Sequence, residues 1–204
     1  MAVYLNFLSL LEDSQRDGLT GLANRKAFDR SLKRLLTTAS AQDTAQDERR
    51  LATGRKNWLA IVDIDHFKPI NDSQGHLMGD KVLIELAGIL RRSFRVQDRI
   101  FRFGGDEFVI LIRQTAPQHV ATSLERFRKN VEGYLFDASI GTITISAGYA
   151  KITPNDTPTT IIGHADNAHY YAKEHGRNRV CSYDQLLAEK KLRTNEIAAN
   201  LNNQ

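Results

Sequence analysis

RIFRFGGDEFVILI, residues 99–112, carries the strongest fold signal in the sequence. Phe101 and Phe103 alternate with polar neighbours before a Gly-Gly pair, and residues 108–112 are an almost continuous apolar run after it. Two apolar runs joined at a Gly-Gly pair are typical of a β-hairpin. The pattern therefore predicts two neighbouring strands whose connecting tip is Gly104, Gly105, Asp106 and Glu107.

The composition of this tip suggests a ligand. Glycine residues can adopt positive φ angles and let a ligand approach the main chain closely. The adjacent Asp106 and Glu107 carboxylates are hard oxygen ligands of the kind that Mg²⁺ prefers. A nucleoside triphosphate requires both features. Because glycine and aspartate are also ordinary turn residues, a plain solvated turn is the competing interpretation.

Composition limits the classes of function. The chain has 204 residues, of which 41% are hydrophobic and 25% charged, which suits one globular domain with appendages. A net charge of +4 is compatible with an anionic ligand, but no basic run is interleaved with aromatic residues, so nucleic-acid binding is not expected. The single cysteine, Cys181, excludes an internal disulfide, and the six histidines show no zinc-binding spacing. No apolar stretch approaches the roughly 20 residues that span a bilayer.

Two carboxylates stand at the end of a predicted buried strand. Residues 58–65, WLAIVDID, are apolar on both faces, which predicts a central strand ending in Asp63 and Asp65. Ionised groups next to a core need a partner. A metal ion is one such partner, and an arginine or lysine is the other.

The next segment is predicted to be loop and turn, residues 66–80, followed by a helix with Val82 and Leu86 on its apolar face. Guanine presents N–H donors that suit a carboxylate and an oxygen acceptor that suits an amide. Asp80 and Asn71 offer these two groups. Lys68 is a cation suited to phosphate.

The remaining elements alternate between helix and strand. We expect an α+β fold, a mixed α/β sandwich with a largely antiparallel central sheet flanked by helices. The expected elements are a helix capped by Asn24, a polar connection over residues 37–57, a helix from Pro117 with Arg126 and Arg128 exposed, a half-buried strand over residues 142–150, a helix from Pro158 to about His175, and a closing strand over residues 179–183.

The chain is expected to hold one folded domain, residues 17–183, with an appendage at each end. Residues 1–16 have apolar residues at roughly helical spacing. This predicts a helix that either packs on the domain or is the end of a stalk from an upstream domain. Residues 184–204 are predicted to be a helix that fades into a disordered tail.

Several cations have two interpretations each. Arg95 and Asp98, in RVQD, form a local ion pair or present an arginine to an anion. Lys173 and Arg177 lie at the end of a predicted helix, where cations complement the helix dipole. The alternative is that they face phosphate.

Five motifs together resemble one protein family, the GGDEF domains or diguanylate cyclases. They stand in the family's order and cover roughly residues 17–183, although the connection over residues 37–57 is long for the family. The motifs are DGLTGLANR at 17–25, DIDHFKPIND at 63–72, GHLMGD at 75–80, GGDEF at 104–108 and AKEHGRN at 172–178.

The resemblance implies a fold similar to the palm of adenylyl cyclases and some polymerases. It implies condensation of two GTP into cyclic di-GMP with release of two pyrophosphates, using Mg²⁺ or Mn²⁺, two ions per active site. One domain holds one GTP, so catalysis is expected to require a homodimer. Cyclic di-GMP is expected to act as an inhibitor as well as the product. An upstream sensory domain is also expected.

The resemblance also assigns roles to individual residues. The metal ligands are expected to be Asp63, the backbone of Ile64, Asp106 and Glu107, with Asp63, Asp106, Glu107 and Lys68 as the catalytic group. Asn71 and Asp80 resemble the guanine readers. The expected phosphate contacts are His66, Phe67, Lys68, Gly104, Gly105, Lys173 and Arg177. Arg95, Asp98 and Arg126 resemble an inhibitory cyclic di-GMP site of RxxD type.

Two other functions compete with an active cyclase. One is a catalytically silent receptor for cyclic di-GMP or GTP, and the other is a dimerisation module with vestigial nucleotide chemistry. Receptors are expected to lack the acidic tip or the guanine readers, and here both are present. GTP as substrate implies a cytoplasmic location, with a membrane tether supplied by a missing N-terminal region as a further expectation.

Overall fold

The computed structural model describes residues 14–41 and 55–192, and the account below concerns those residues. Five strands form one sheet in the order β2-β3-β1-β4-β5. Only the β4–β5 pair is parallel. The strands are β1 (Lys56–Ile64), β2 (Arg99–Gly104), β3 (Glu107–Thr115), β4 (Ile145–Lys151) and β5 (Val180–Ser182).

Helices cover both faces of the sheet. Side chains alternate between faces along β1, so that Ala60 and Val62 join one apolar cluster while Leu59 and Ile61 join the other. The cluster with Ala60 includes residues of α3 and α4, and the cluster with Leu59 includes residues of α1 and α5. The helices are α1 (Arg25–Ala41), α2 (Phe67–Gln74), α3 (His76–Ser93), α4 (Pro117–Glu132), α5 (Pro158–Glu174) and α6 (Tyr183–Ala188).

The main predictions of the fold are confirmed. The hairpin forms at the predicted glycines, and β1 is the middle strand, buried from Trp58 to its end. Asn24 caps α1 by accepting a hydrogen bond from the Ala27 N–H. Pro117 begins α4. Of the described residues, none belongs to a helix both long and apolar enough to cross a membrane.

The prediction of loop and turn over residues 66–80 is wrong, because this segment forms α2 and the start of α3. Pro69 lies in the first turn of α2, where its missing N–H has no partner to lose. His66 and Gly75 have φ angles of 58° and 82°. These two residues precede and follow α2. The chain therefore turns at each end of a short helix, where the sequence pattern predicted a continuous loop.

Three predictions about exposure or boundaries are also wrong. β4 begins at Ile145 rather than residue 142 and is buried along almost its whole length, since it has neighbours on both edges and helices on both faces. Arg128 is buried rather than exposed, because it donates hydrogen bonds to Glu125, Glu132 and Asn178. The closing strand is shorter than predicted.

The predicted appendages are described only in part. Residues 14–16 are not helical, and Arg16 instead forms an isolated bridge with Ala23. In the predicted connection, α1 continues to Ala41 and β1 begins at Lys56. Residues 1–13, 42–54 and 193–204 lie outside the described residues, so the predicted N-terminal helix and tail stay predictions there.

Candidate functional site

The register of the sheet places Asp63 directly opposite Glu107 on β1 and β3. Opposed residues in an antiparallel pair have Cβ atoms about 5 Å apart. Asp63 continues the face of β1 that carries Leu59 and Ile61, so it is directed towards the α1 and α5 side of the sheet. The hairpin tip thus brings two carboxylates from distant parts of the sequence into one place.

The hairpin tip is stabilised by contacts with Arg102. Gly105 has a φ of 48°, which suits glycine. Arg102 donates to the Gly105 carbonyl oxygen at 2.8 Å and pairs with the Asp17 carboxylate at 3.0 Å. Sequence reasoning missed both residues as supports of the site, although Asp17 opens one of the quoted motifs.

Asp63 has a cationic partner within the chain. The carboxylate is buried, with 5% of the residue exposed, and the Lys173 ammonium donates to it at 2.8 Å from the last turn of α5. Of the two partners that the sequence allowed, the lysine is the one present. The carboxylate of Asp65 is satisfied separately, by Thr144 and Ser146 hydroxyls at 2.7 Å and by the Asn178 N–H at 3.0 Å.

Electrostatics distinguish this cluster from a surface turn. Burial raises the pKa of Asp63, the hydrogen bond from Lys173 opposes that rise, and the Asp106 carboxylate adds to it. Burial also raises the pKa of Glu107, and the neighbouring Asp63 raises it further. These carboxylates therefore gain from any cation placed between them.

The donor set suits a hard divalent cation. Among the described residues, no group of three or more His, Cys, Asp or Glu side chains is already arranged around a metal position. However, Asp63, Asp106 and Glu107 offer only oxygen donors, which Mg²⁺ and Mn²⁺ prefer. Their mutual repulsion is also what a divalent cation relieves. Ile64, whose backbone was the fourth expected ligand, follows Asp63 at the end of β1.

The α2 segment carries the expected phosphate contacts next to β1. Because His66 turns the chain in the left-handed region, only two residues separate the end of β1 from the start of α2. The first N–H groups of a helix have no partner within the helix. Phe67 is buried and anchors this turn, while the Lys68 side chain is exposed.

A close contact of α2 with α3 brings Asn71 against Gly79, the residue that precedes Asp80. A Cβ atom on Gly79 would lie 1.9 Å from the Asn71 Oδ1 and 3.1 Å from Phe67 Cζ. The Asn71 side chain therefore occupies the space that a larger residue at position 79 would fill, next to Asp80. The spacing role of Gly79 was missed from the sequence.

The loop after α5 carries the remaining cation. Arg177 has a φ of 58°, and its N–H donates to the Ala172 carbonyl oxygen at 3.0 Å. The following residue, Asn178, accepts from Arg128 at 2.6 Å and donates to Glu132 at 2.8 Å. These bonds to α4 fix the backbone of the loop, so Arg177 is held near Lys173.

The RVQD residues form a separate surface at the other end of β2. The Asp98 carboxylate accepts from the backbone N–H groups of Arg95 and Arg113, each at 3.1 Å, and no Arg95–Asp98 ion pair is found in the described part of the chain. Of the two interpretations of RVQD, the structure therefore does not support the local ion pair. Arg126 reaches the same end of α3 by donating to the Ser93 carbonyl oxygen at 2.9 Å. Arg95 is exposed.

Comparison with known proteins identifies the family to which this chain is similar. Residues 14–179 match the protein family described as "Diguanylate cyclase, GGDEF domain". The chain is 41% identical over 180 residues to diguanylate cyclase DgcP of Pseudomonas aeruginosa, covering 85% of this chain and 25% of that protein. It is 33% identical over 174 residues to diguanylate cyclase DgcZ of Escherichia coli, covering 84% of this chain and 54% of that protein.

A solved structure gives the same result. The coiled coil and GGDEF domain of DgcB from Caulobacter crescentus, in complex with c-di-GMP, superposes with a TM-score of 0.78 at 35% identity, covering 89% of this chain and 92% of that one. The chain spans about a quarter to a half of the curated relatives named above. The fold, the order of the motifs and these matches agree, and the chain belongs to the GGDEF family of diguanylate cyclase domains.

Proposed function

We propose that this domain is a diguanylate cyclase, which condenses two GTP into cyclic di-GMP and releases two pyrophosphates. The observation that carries the proposal is the pairing of Asp63 with Glu107 beside the glycine tip, with Lys173 on Asp63. Phosphoryl transfer depends mainly on positioning and charge neutralisation, and this cluster offers both.

Asp63, the Ile64 carbonyl, Asp106 and Glu107 would hold Mg²⁺ or Mn²⁺, two ions per site. When bound, such ions neutralise charge on the α-phosphate and make the attacking 3′-hydroxyl more acidic. The chain's own part is to bind and orient. Lys68, Arg177 and the backbone N–H groups of His66, Phe67, Gly104 and Gly105 would contact the phosphates.

Lys173 has a second role in this proposal. In the structure its ammonium lies on Asp63. A triphosphate carries more negative charge than one carboxylate, so the flexible lysine would turn towards it and leave the Asp63 oxygen free. The same side chain would thus neutralise Asp63 in one position and contact the substrate in another.

Asn71 and Asp80 would read the guanine edge, and Gly79 makes room for Asn71. We expect Gly79→Ala to weaken binding of a non-reacting α,β-methylene analogue of GTP by about 10-fold to 100-fold, the range for one good base contact, and to reduce its preference over the ATP analogue. The new methyl group displaces the Asn71 amide. Isothermal titration calorimetry measures both affinities.

Gly88→Ala is the matched control for this substitution. Gly88 lies on the same helix, and a Cβ atom there meets only the flexible Arg92 guanidinium at 3.3 Å. We expect this variant to bind both analogues like the unsubstituted chain. If Gly79→Ala also binds them normally, Asn71 does not read the base.

One domain binds one GTP in this proposal, so two domains must face each other for both bonds to form. We therefore expect activity per protomer to rise with protein concentration.

The matched part is about a quarter of DgcP and about half of DgcZ, so both relatives contain further regions. This fits an upstream sensory region that controls dimerisation. A GTP-consuming domain is placed in the cytoplasm, where its substrate is.

Incubation with GTP and Mg²⁺, followed by chromatography and mass spectrometry, tests the proposal directly. We expect cyclic di-GMP and pyrophosphate from the unsubstituted chain and neither from Asp106→Ala. If a fused coiled coil forces dimerisation and the chain still makes no product, the cyclase proposal fails. The receptor function would then be tested by titrating cyclic di-GMP against the chain.

Arg95, Asp98 and Arg126 would form the inhibitory product site. We expect Arg95→Ala to leave the initial rate near normal and to raise the cyclic di-GMP concentration that halves the rate by about 10-fold or more, because one charged hydrogen-bond donor is lost. Progress curves with added product measure this. The control is Arg92→Ala, which removes an exposed arginine from the last turn of α3 and should leave product inhibition unchanged. If cyclic di-GMP inhibits Arg95→Ala as strongly as it inhibits the unsubstituted chain, product inhibition acts through another surface.

A further inference from the structure

A buried histidine lies beside the candidate site, and none of the roles above uses it. His169 is 4% exposed on α5, and its Nε2 atom is buried without a hydrogen-bond partner among the described residues. Its Nδ1 atom lies 3.9 Å from the Asp166 carboxylate, too far for a hydrogen bond. Buried polar atoms are nearly always paired, so this nitrogen calls for an explanation.

The position of His169 on α5 directs it towards the site. It precedes Lys173 by four residues, so the two side chains share one helix face, and Lys173 reaches Asp63 from that face. A positive charge on His169 lowers the pKa of both Asp63 and Glu107, and for Glu107 it does so more than Lys173 does. Because Asp63 lies directly opposite Glu107, this face of α5 is directed towards both carboxylates.

The histidine is held in place, whereas Glu107 is not. The backbone of α5 packs against β4 so closely that a Cβ atom on Gly148 would lie 2.0 Å from the His169 nitrogen. Glu107 is exposed, and no hydrogen bond or ion pair to its carboxylate is found among the described residues. A cavity of about 80 Å³, lined by both Glu107 and Asp166 of α5, lies on the side of Glu107 that faces this helix.

We infer that His169 is a positioning residue for Glu107. When nucleotide draws Lys173 away from Asp63, the His169 Nε2–H donates a hydrogen bond to the Glu107 carboxylate and fixes it opposite Asp63. The inference rests on the proposed function, since it assigns Glu107 to the divalent cation. Hydrogen bonds to a ligating carboxylate orient it, and loss of such a partner typically lowers metal affinity by about 10-fold to 100-fold.

Three substitutions separate this role from packing. His169→Gln places an amide nitrogen near the position of Nε2, whereas His169→Asn places one near Nδ1, and His169→Leu removes both. The readout is Mn²⁺ binding, measured by electron paramagnetic resonance on the full chain with the α,β-methylene analogue of GTP present. Thermal unfolding without ligand reports on packing.

We expect His169→Leu and His169→Asn to bind Mn²⁺ about 10-fold or more weakly and His169→Gln to stay within about threefold of the unsubstituted chain. We expect His169→Leu to unfold at the same or a higher temperature, since it removes an unpaired buried nitrogen. Normal Mn²⁺ binding by His169→Leu, or equal weakening in all three variants, overturns the inference and leaves the cyclase proposal intact. An unsubstituted chain that binds no Mn²⁺ overturns the proposed metal site and the inference with it.

Discussion

Asp63→Asn is expected to lower cyclic di-GMP synthesis by about a thousandfold or more while leaving the fold intact. The substitution keeps the shape of the side chain and removes its charge. Asp63 lies opposite Glu107, so its loss leaves the proposed cation site without its most buried carboxylate. Lys173 also loses its resting partner. Steady-state release of pyrophosphate measures the effect.

Stability is expected to move in the other direction. Burial raises the pKa of Asp63, which means that the folded chain holds this charge at a cost. A neutral asparagine removes that cost, and the partly exposed Lys173 ammonium can return to water. The melting temperature of Asp63→Asn should therefore equal or exceed that of the unsubstituted chain.

Asp29→Asn provides a control for charge alone. Asp29 lies on the exposed side of α1, so this substitution changes the net charge equally without touching the site. It should leave both the rate and the melting temperature unchanged. If Asp63→Asn retained more than about a tenth of the normal rate, Asp63 would be removed from the proposed cation site.

Gly148→Ala is expected to be severely destabilising, although it adds only one methyl group. We expect it to lower the free energy of unfolding by more than about 4 kcal/mol. The added Cβ atom would lie 2.0 Å from the His169 nitrogen, 2.4 Å from the Ala165 carbonyl oxygen and 2.6 Å from the Ala168 carbonyl carbon. All three are backbone atoms of α5. They can give way only if the whole helix moves off the sheet.

Urea denaturation of matched variants tests this expectation. Gly163→Ala makes the same chemical change on α5 itself, where a Cβ atom would meet nothing within 4 Å. Since alanine favours a helix over glycine by up to about 1 kcal/mol, this control should stabilise the chain. A Gly148→Ala variant as stable as the unsubstituted chain would mean that α5 is not docked as closely as described.

The parts of the fold that depend on local pattern were predictable. The hairpin, the Asn24 cap and the Pro117 helix start each depend on a few neighbouring residues, and each is confirmed. The α2 helix was missed because Pro69, Gly75 and Gly79 are typical loop residues, although proline is compatible with the first turn of a helix.

The parts that depend on distant contacts were not predictable in the same way. The motifs name Asp63 and Glu107 separately, but only the strand register shows that they face each other. Arg128 was expected in water because its charge is usually solvated, and its burial depends on Asn178, which lies fifty residues away. No sequence pattern points to His169, since only the structure shows that its Nε2 atom is buried without a hydrogen-bond partner among residues 14–41 and 55–192.

The Lys173–Asp63 ion pair has a consequence for the order of binding. In the structure the lysine supplies a positive charge to Asp63, so a divalent cation that binds there as proposed must compete with it. A triphosphate arriving alone brings charge that the carboxylates repel. Together the two ligands exchange one internal pair for two better ones, so each raises the affinity for the other by the same factor. In the proposed cyclase the metal ion and the nucleotide are therefore expected to bind together, as one complex.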